Sequence, residues 1–240
     1  MAEDAGALAA QITHAEQTIR SRDAGEEAVA EAGRVQQAAY RHLAARGELR
    51  PAVLAAVPDD LDPVVVAHTD AQAALRRLTR AQPRLPSWRI VAPPPPEVLL
   101  GYYRAAEQEF GVGWEYLAAI HLVETRMGRI RGTSSAGAQG PMQFMPGTWE
   151  IYGEGDIDDP QDAIRAAARY LAASGAPQRM ERALFAYNRS NAYVAGIEMH
   201  AAQMRADPRT YRGYYHWQVY YRTTDGDRVL PVGYDGRLSR

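Results

Sequence analysis

Residues Trp114-Glu115-Tyr116-Leu117-Ala118-Ala119-Ile120-His121-Leu122-Val123-Glu124-Thr125-Arg126-Met127-Gly128 decide how this chain reads. The periodicity predicts an amphipathic helix over 114–127, with Gly128 placed to stop it. At about 100° per residue, Trp114, Leu117, Ile120, Val123 and Met127 form one apolar arc, and Glu115 and Arg126 fall opposite. Glu124 lies between Leu117 and Ile120, near the middle of that arc. A carboxyl group there loses hydration, so its pKa is expected to rise. An acid still protonated near neutral pH is able to serve as a general acid. The competing reading is a carboxylate paired with an arginine or reaching the helix edge, as buried charges usually do.

The residues that follow tilt the balance toward chemistry. Arg131 to Gly140 is small, polar and glycine-rich, a loop whose backbone is able to approach a ligand closely. Pro141-Met142-Gln143-Phe144-Met145-Pro146-Gly147-Thr148-Trp149 comes next, and Ala186-Tyr187-Asn188 closes a later apolar run.

In this order, Val123-Glu124-Thr125-Arg126-Met127-Gly128, Ser134-Ser135-Ala136-Gly137-Ala138, Gly140 to Trp149 and Ala186-Tyr187-Asn188 resemble the lytic transglycosylases of bacterial cell walls. The likeness runs from about Pro96 to about Gln203, under half of the chain. Glu124-Thr125 and Gly140-Pro141-Met142-Gln143 depart mildly from the soluble branch of that family; Val123 to Gly128 and Gln143-Phe144-Met145-Pro146 look more like its membrane-bound B-type branch, while Ala186-Tyr187-Asn188 resembles the soluble one, so the resemblance leaves the branch open. The resemblance implies an all-α catalytic domain with a goose-type-lysozyme-like fold. It also implies Glu124 and Tyr187 as catalytic residues, and Ser134, Ser135, Met142, Gln143 and Asn188 as contacts to the glycan. The activity implied is cleavage of the β-1,4 bond between N-acetylmuramic acid and N-acetylglucosamine. Glu124 would act as acid and then base, the substrate's acetamido group would assist, and the product would carry a 1,6-anhydromuramoyl end. A muramidase that uses water, and a wall-binding or assembly module, are the alternatives.

Glycosidases usually carry two carboxylates. Glu150, Glu154, Asp156, Asp158, Asp159 and Asp162 are available, but only Glu124 falls within the apolar face of a helix. The Asp156–Asp162 cluster reads as a polar turn plus a helix cap; it lacks the ligand spacing of a calcium loop. His121, one turn before Glu124, is more simply structural than a base or ligand. No metal and no cofactor is expected.

A net charge of −2 points to neither nucleic acid nor an anionic membrane as partner, and no apolar stretch is long enough to span a bilayer. The absence of cysteine excludes disulfides and thiolate metal sites. The partner expected is peptidoglycan, with a protein partner for residues 1–82 left open. Met1 to Gly6 lack the basic and apolar regions of a signal peptide, so export is expected from the substrate alone.

Residues 1–82 show helical spacing in Leu8, Ile12, Ala15 and Ile19 and again in Val64, His68, Ala71, Leu75 and Leu78. Three helices are predicted, forming a helical spacer or interaction region as a bundle or hairpin. Six prolines in 83–96 read as a linker, 97–206 as the catalytic domain, and 207–240 as an aromatic tail with a short β-hairpin turning at Asp225-Gly226. Since every motif lies beyond the prolines, residues 97–240 are expected to cleave peptidoglycan alone.

Overall fold

The structure is a computed structural model and describes residues 4–236. The fold is mostly helical and lysozyme-like, with two small two-stranded sheets among the described residues. The N-terminal helices are α1 (Ala5–Arg20), α2 (Glu26–Ala45), the short α3 (Arg50–Leu54) and α4 (Asp62–Arg77). Strand β1 (Arg89–Ile90) precedes α5 (Pro96–Phe110) and α6 (Trp114–Thr125); β2 is Ile130–Arg131. Then come α7 (Pro146–Tyr152), α8 (Pro160–Ala173), α9 (Met180–Tyr187), α10 (Asn191–Ala206), α11 (Thr210–Tyr215), β3 (Val219–Thr223) and β4 (Gly226–Leu230).

Helix α6 is not amphipathic. Glu115, on the side expected to face solvent, is buried and paired with Arg205 at 2.8 Å, and Trp114, Leu117, Ala118, Ala119, Ile120, His121 and Leu122 are buried around the helix. A helix buried on every side carries no periodic signal. It also stops two residues early. Arg126, Met127 and Gly128 all have positive φ, and the Arg126 guanidinium donates back to the carbonyl of Leu122. The same carbonyl also accepts the Arg126 backbone amide at 3.2 Å, so backbone and side chain of Arg126 close the helix end together. The main core gathers around α6 from α5, α8, α9, α10 and α11, with Tyr103, Tyr193, Tyr214 and Trp217 as its large members.

The N-terminal helices do not stand away as a solvated spacer. Helix α4 packs along α10, and α2 packs on α11. Gly33 of α2 faces Gly213 of α11 so closely that a Cβ on Gly33 would lie 2.5 Å from the Gly213 carbonyl oxygen. Buried polar links cross this contact. The Tyr214 hydroxyl lies 2.8 Å from His68 Nε2 and 3.1 Å from His200 Nδ1, and the Trp217 indole donates to Gln36 at 2.9 Å. Gln36 and Tyr40 both donate to Glu16, which Arg20 neutralises at 3.2 Å. Burial depresses the basicity of His68 and His200, so both stay neutral members of the network.

The proline-rich stretch is stitched to its surroundings rather than left as a free linker. Arg89 and Ile90 pair with Arg131 and Ile130, and the Ile90 amide donates to the Tyr234 carbonyl. Prolines lack N–H groups but keep free carbonyls. The hydroxyls of Tyr211, Tyr215 and Tyr234 donate to those of Pro96, Pro94 and Pro86. Most tail tyrosines therefore anchor the fold, as their clustering suggests. The tail hairpin pairs Thr223 with Gly226, so its two-residue turn is Thr224-Asp225, one residue earlier than the Asp-Gly reading.

Candidate active site

Glu124, in the last turn of α6, stands at the wall of a cavity of about 580 Å³. The Thr125 hydroxyl next to it donates to the Pro141 carbonyl at 2.6 Å and accepts from the Gly128 amide at 3.1 Å. The acid's position is thereby tied to the loop that follows. On helix α10, which packs against α6, Ser190 is the cap and accepts from the Tyr193 amide. Tyr193 sits in the first turn so formed and donates its hydroxyl to Glu124 Oε1 at 2.8 Å.

Two effects compete at Glu124. Burial raises its pKa, while the Tyr193 hydroxyl and the Arg126 charge lower it; burial wins, and the value is pushed up to about 7. The consequence for stability has a definite sign. Between about 4.5 and 7 the folded protein holds a proton that the unfolded chain has released, so stability is full below 4.5 and falls as pH rises toward 7. The size is at most roughly 3 kcal/mol. The catalytic consequence is the same in direction. Turnover that requires protonated Glu124 should be flat below neutrality and fall about tenfold per unit above about pH 7. A pH–rate profile of kcat with an alkaline limb below pH 5 or above pH 9 would contradict this assignment.

The structure does not treat the seven expected site residues alike. Glu124, Ser135 and Asn188 line the cavity together. Ser134 instead holds its own loop, accepting from the amides of Ala136 and Ala138. Met142 is a correction: its side chain is fully buried in the core, so only its carbonyl bears on the site, by accepting from Tyr187 at 2.7 Å. Gln143 has a positive φ of 52° and turns its amide back to the Gly140 carbonyl at 2.9 Å. The turn closes with Gln139 and Phe144 bonded both ways, and a Cβ on Gly140 would lie 2.0 Å from the Ile157 carbonyl oxygen. Glycine is required there.

Tyr187 stacks parallel to Tyr193 with centroids 6.5 Å apart. It does not line the cavity, yet it lies close enough to Glu124 for that carboxylate's charge to raise its pKa, after burial the next largest cause. His121 is buried, bonded to Tyr103 at 2.7 Å, and lowered by burial to about 3, so it serves the core. Asp159 caps α8 through the amides of Gln161 and Asp162, and Asp162 accepts from the Asp156 amide. That is the polar turn and cap the sequence suggests.

Neither Tyr193 nor the opposite wall carries a signal in the sequence. That wall comes from outside the motif region: Arg41 of α2, Gln72 and Arg76 of α4, Trp88 before β1, and Tyr220 and Tyr221 of β3. A tyrosine at the start of a helix has no distinctive pattern. Arginines on helices read from sequence as a solvated face.

Residues 101–204 match the family described as Transglycosylase SLT domain, and this part of the chain is such a domain. The SLT domain is the catalytic unit of peptidoglycan lytic transglycosylases. No curated protein and no solved structure matches the chain.

Proposed function

We propose that the chain is a peptidoglycan lytic transglycosylase in which Glu124 is both acid and base. The reading rests on one observation: Glu124 is the only acid among the described residues lining the cavity, and it is held partly buried at a pKa of about 7. A two-carboxylate mechanism needs a second carboxyl group about 5–9.5 Å away. Substrate assistance does not. Glu124 protonates the oxygen that links N-acetylmuramic acid to N-acetylglucosamine. The neighbouring acetamido group closes on the anomeric carbon as that bond breaks. Ionised Glu124 then takes the proton of the same sugar's C6 hydroxyl, whose oxygen displaces the acetamido oxygen and leaves a 1,6-anhydro end.

Tyr193 fits this sequence because its hydrogen bond strengthens as Glu124 becomes anionic. Asn188 and Ser135 are placed to hold the acetamido group or hydroxyls of the reacting sugar. Tyr187 is a positioning residue beside Tyr193. The catalytic unit is residues 97–206, with residues 1–82 supplying one wall of the cleft rather than acting as a spacer. A cell-wall substrate places the working protein outside the cytoplasmic membrane; no described helix is long and apolar enough to cross one.

The Tyr193 role has its own test. Tyr193→Phe removes the bond that lowers Glu124, so the alkaline limb of the pH profile should move up by about one unit while kcat falls roughly tenfold. Tyr187→Phe, which keeps the Tyr193 bond, should lower kcat less and leave the limb in place. Asn188→Ala should raise KM and lower kcat with little change in melting temperature. An unmoved limb in Tyr193→Phe would remove Tyr193 from the site.

A further inference from the structure

The cavity wall opposite Glu124 has an unusual charge for a protein of net charge −2. Arg41, Arg76, Arg80, Arg126 and Arg222 all line the cavity, and Glu124, largely uncharged below pH 7, is the only acid among the described residues doing so. Asp227 answers two of these cations at once, Arg41 at 2.5 Å and Arg76 at 2.9 Å. Arg222 donates Nη1 to the carbonyls of Arg76 and Thr79, which fixes the end of α4 without cancelling charge. Arg80 is exposed and has no acidic partner among the described residues. The cavity lining therefore has an excess of positive charge. Guanidinium groups suit planar carboxylates through paired N–H donors.

Where a muramic acid carries its stem, its lactyl carboxyl is tied up in the amide to that stem, so the glycan backbone itself offers hydroxyls and acetamido groups and no anion. The anions of peptidoglycan are the carboxylates of the peptide stems attached to its muramic acid residues. We propose that the arginine wall formed by α2, α4 and the 78–88 segment is a subsite for the stem-peptide carboxylates of the strand being cleaved. This deepens the function proposed above and rests on it for the identity of the ligand. All the wall arginines except Arg126 lie outside residues 101–204, so the subsite belongs to the parts of this chain added around the SLT domain. It would select strands that still carry free stem carboxylates.

The test is a binding measurement that does not need turnover. The full chain carrying Glu124→Gln is titrated calorimetrically with a soluble disaccharide-tetrapeptide. A second titration uses the same compound after its carboxylates have been amidated. The free acid should bind at least roughly fivefold more tightly at low salt, and the difference should shrink as salt rises. Adding Arg80→Gln should remove up to about fivefold of that preference, and Arg76→Gln with Arg80→Gln should remove most of it. Arg182→Gln, an exposed arginine on α9 away from the cavity, should change nothing. Equal binding of free and amidated forms overturns the proposal. So does a preference that survives both substitutions, or displacement of both forms alike by a polyglycerol phosphate, which would make the wall a phosphate site. If the wild-type chain fails to cleave sacculi yet the charge-dependent binding is found, the catalytic reading falls and the subsite stands.

Discussion

Glu124→Gln should abolish release of muropeptides from purified sacculi, with a loss of at least roughly 10²–10⁴-fold, the range expected for a positioned general acid. The amide matches the carboxyl in size and still accepts from the Tyr193 hydroxyl 2.8 Å from Oε1 in the native chain. It is unable to donate a proton to the glycosidic oxygen and take one from the C6 hydroxyl. The same substitution should make the protein more stable at pH 8. There the native chain bears the cost of an ionised, poorly solvated carboxylate, whereas at pH 4 neither chain does. Thermal unfolding at the two pH values checks this. An inactive variant that melts higher at pH 8 has lost chemistry and kept its fold. Turnover within a few-fold of the native chain would take Glu124 out of the mechanism.

Removing residues 1–96 should be nearly as damaging, for a different reason. From the motifs alone, 97–240 is expected to suffice. The packing argues otherwise. Tyr214 and Trp217, both buried, lose His68 and Gln36 as hydrogen-bond partners, and α10 and α11 lose the helices that cover them. Exposing a large side chain costs roughly 1.5–3 kcal/mol. A few such losses match the net stability of about 5–15 kcal/mol typical of a domain. The 97–240 fragment is therefore expected to lack a cooperative melting transition and to be inactive. A separately produced fragment covering 1–96 should restore both when mixed with it. A soluble fragment that melts cooperatively and cleaves sacculi at the native rate would show that the N-terminal helices are dispensable.

These two expectations differ in how far the sequence could carry them. Glu124 was legible because a carboxyl group among Leu117, Ile120 and Val123 breaks a local pattern. Helix α1 was legible from its pattern, since Leu8, Ile12, Ala15 and Ile19 repeat with a helical period and are all buried, whereas the short α3 adds a fourth helix where three were expected in the first 82 residues. What those helices pack against was not legible. The partners of Gly33 and His68, Gly213 and Tyr214, lie far along the chain, and local periodicity holds no information on such pairs. Met142 was misjudged because a motif position says that a residue matters, not which of its atoms does. Its carbonyl orients Tyr187 while its side chain fills the core. The tail turn was placed one residue late because Asp-Gly is a strong local turn signal. Pairing of Thr223 with Gly226 overrides it.

The central claim is that one acid, without a second carboxylate, closes the substrate on itself. Mass spectrometry of the muropeptides released from purified sacculi tests it most directly. An intramolecular attack by the C6 hydroxyl gives ends lighter by one water than hydrolysis does. The account predicts that every new muramoyl end produced by the native chain is of the anhydro form. It also predicts that none of these ends incorporates the label when digestion is run in ¹⁸O water. Reducing muramoyl ends carrying the label would show that water reaches the intermediate, and the protein would then be a muramidase.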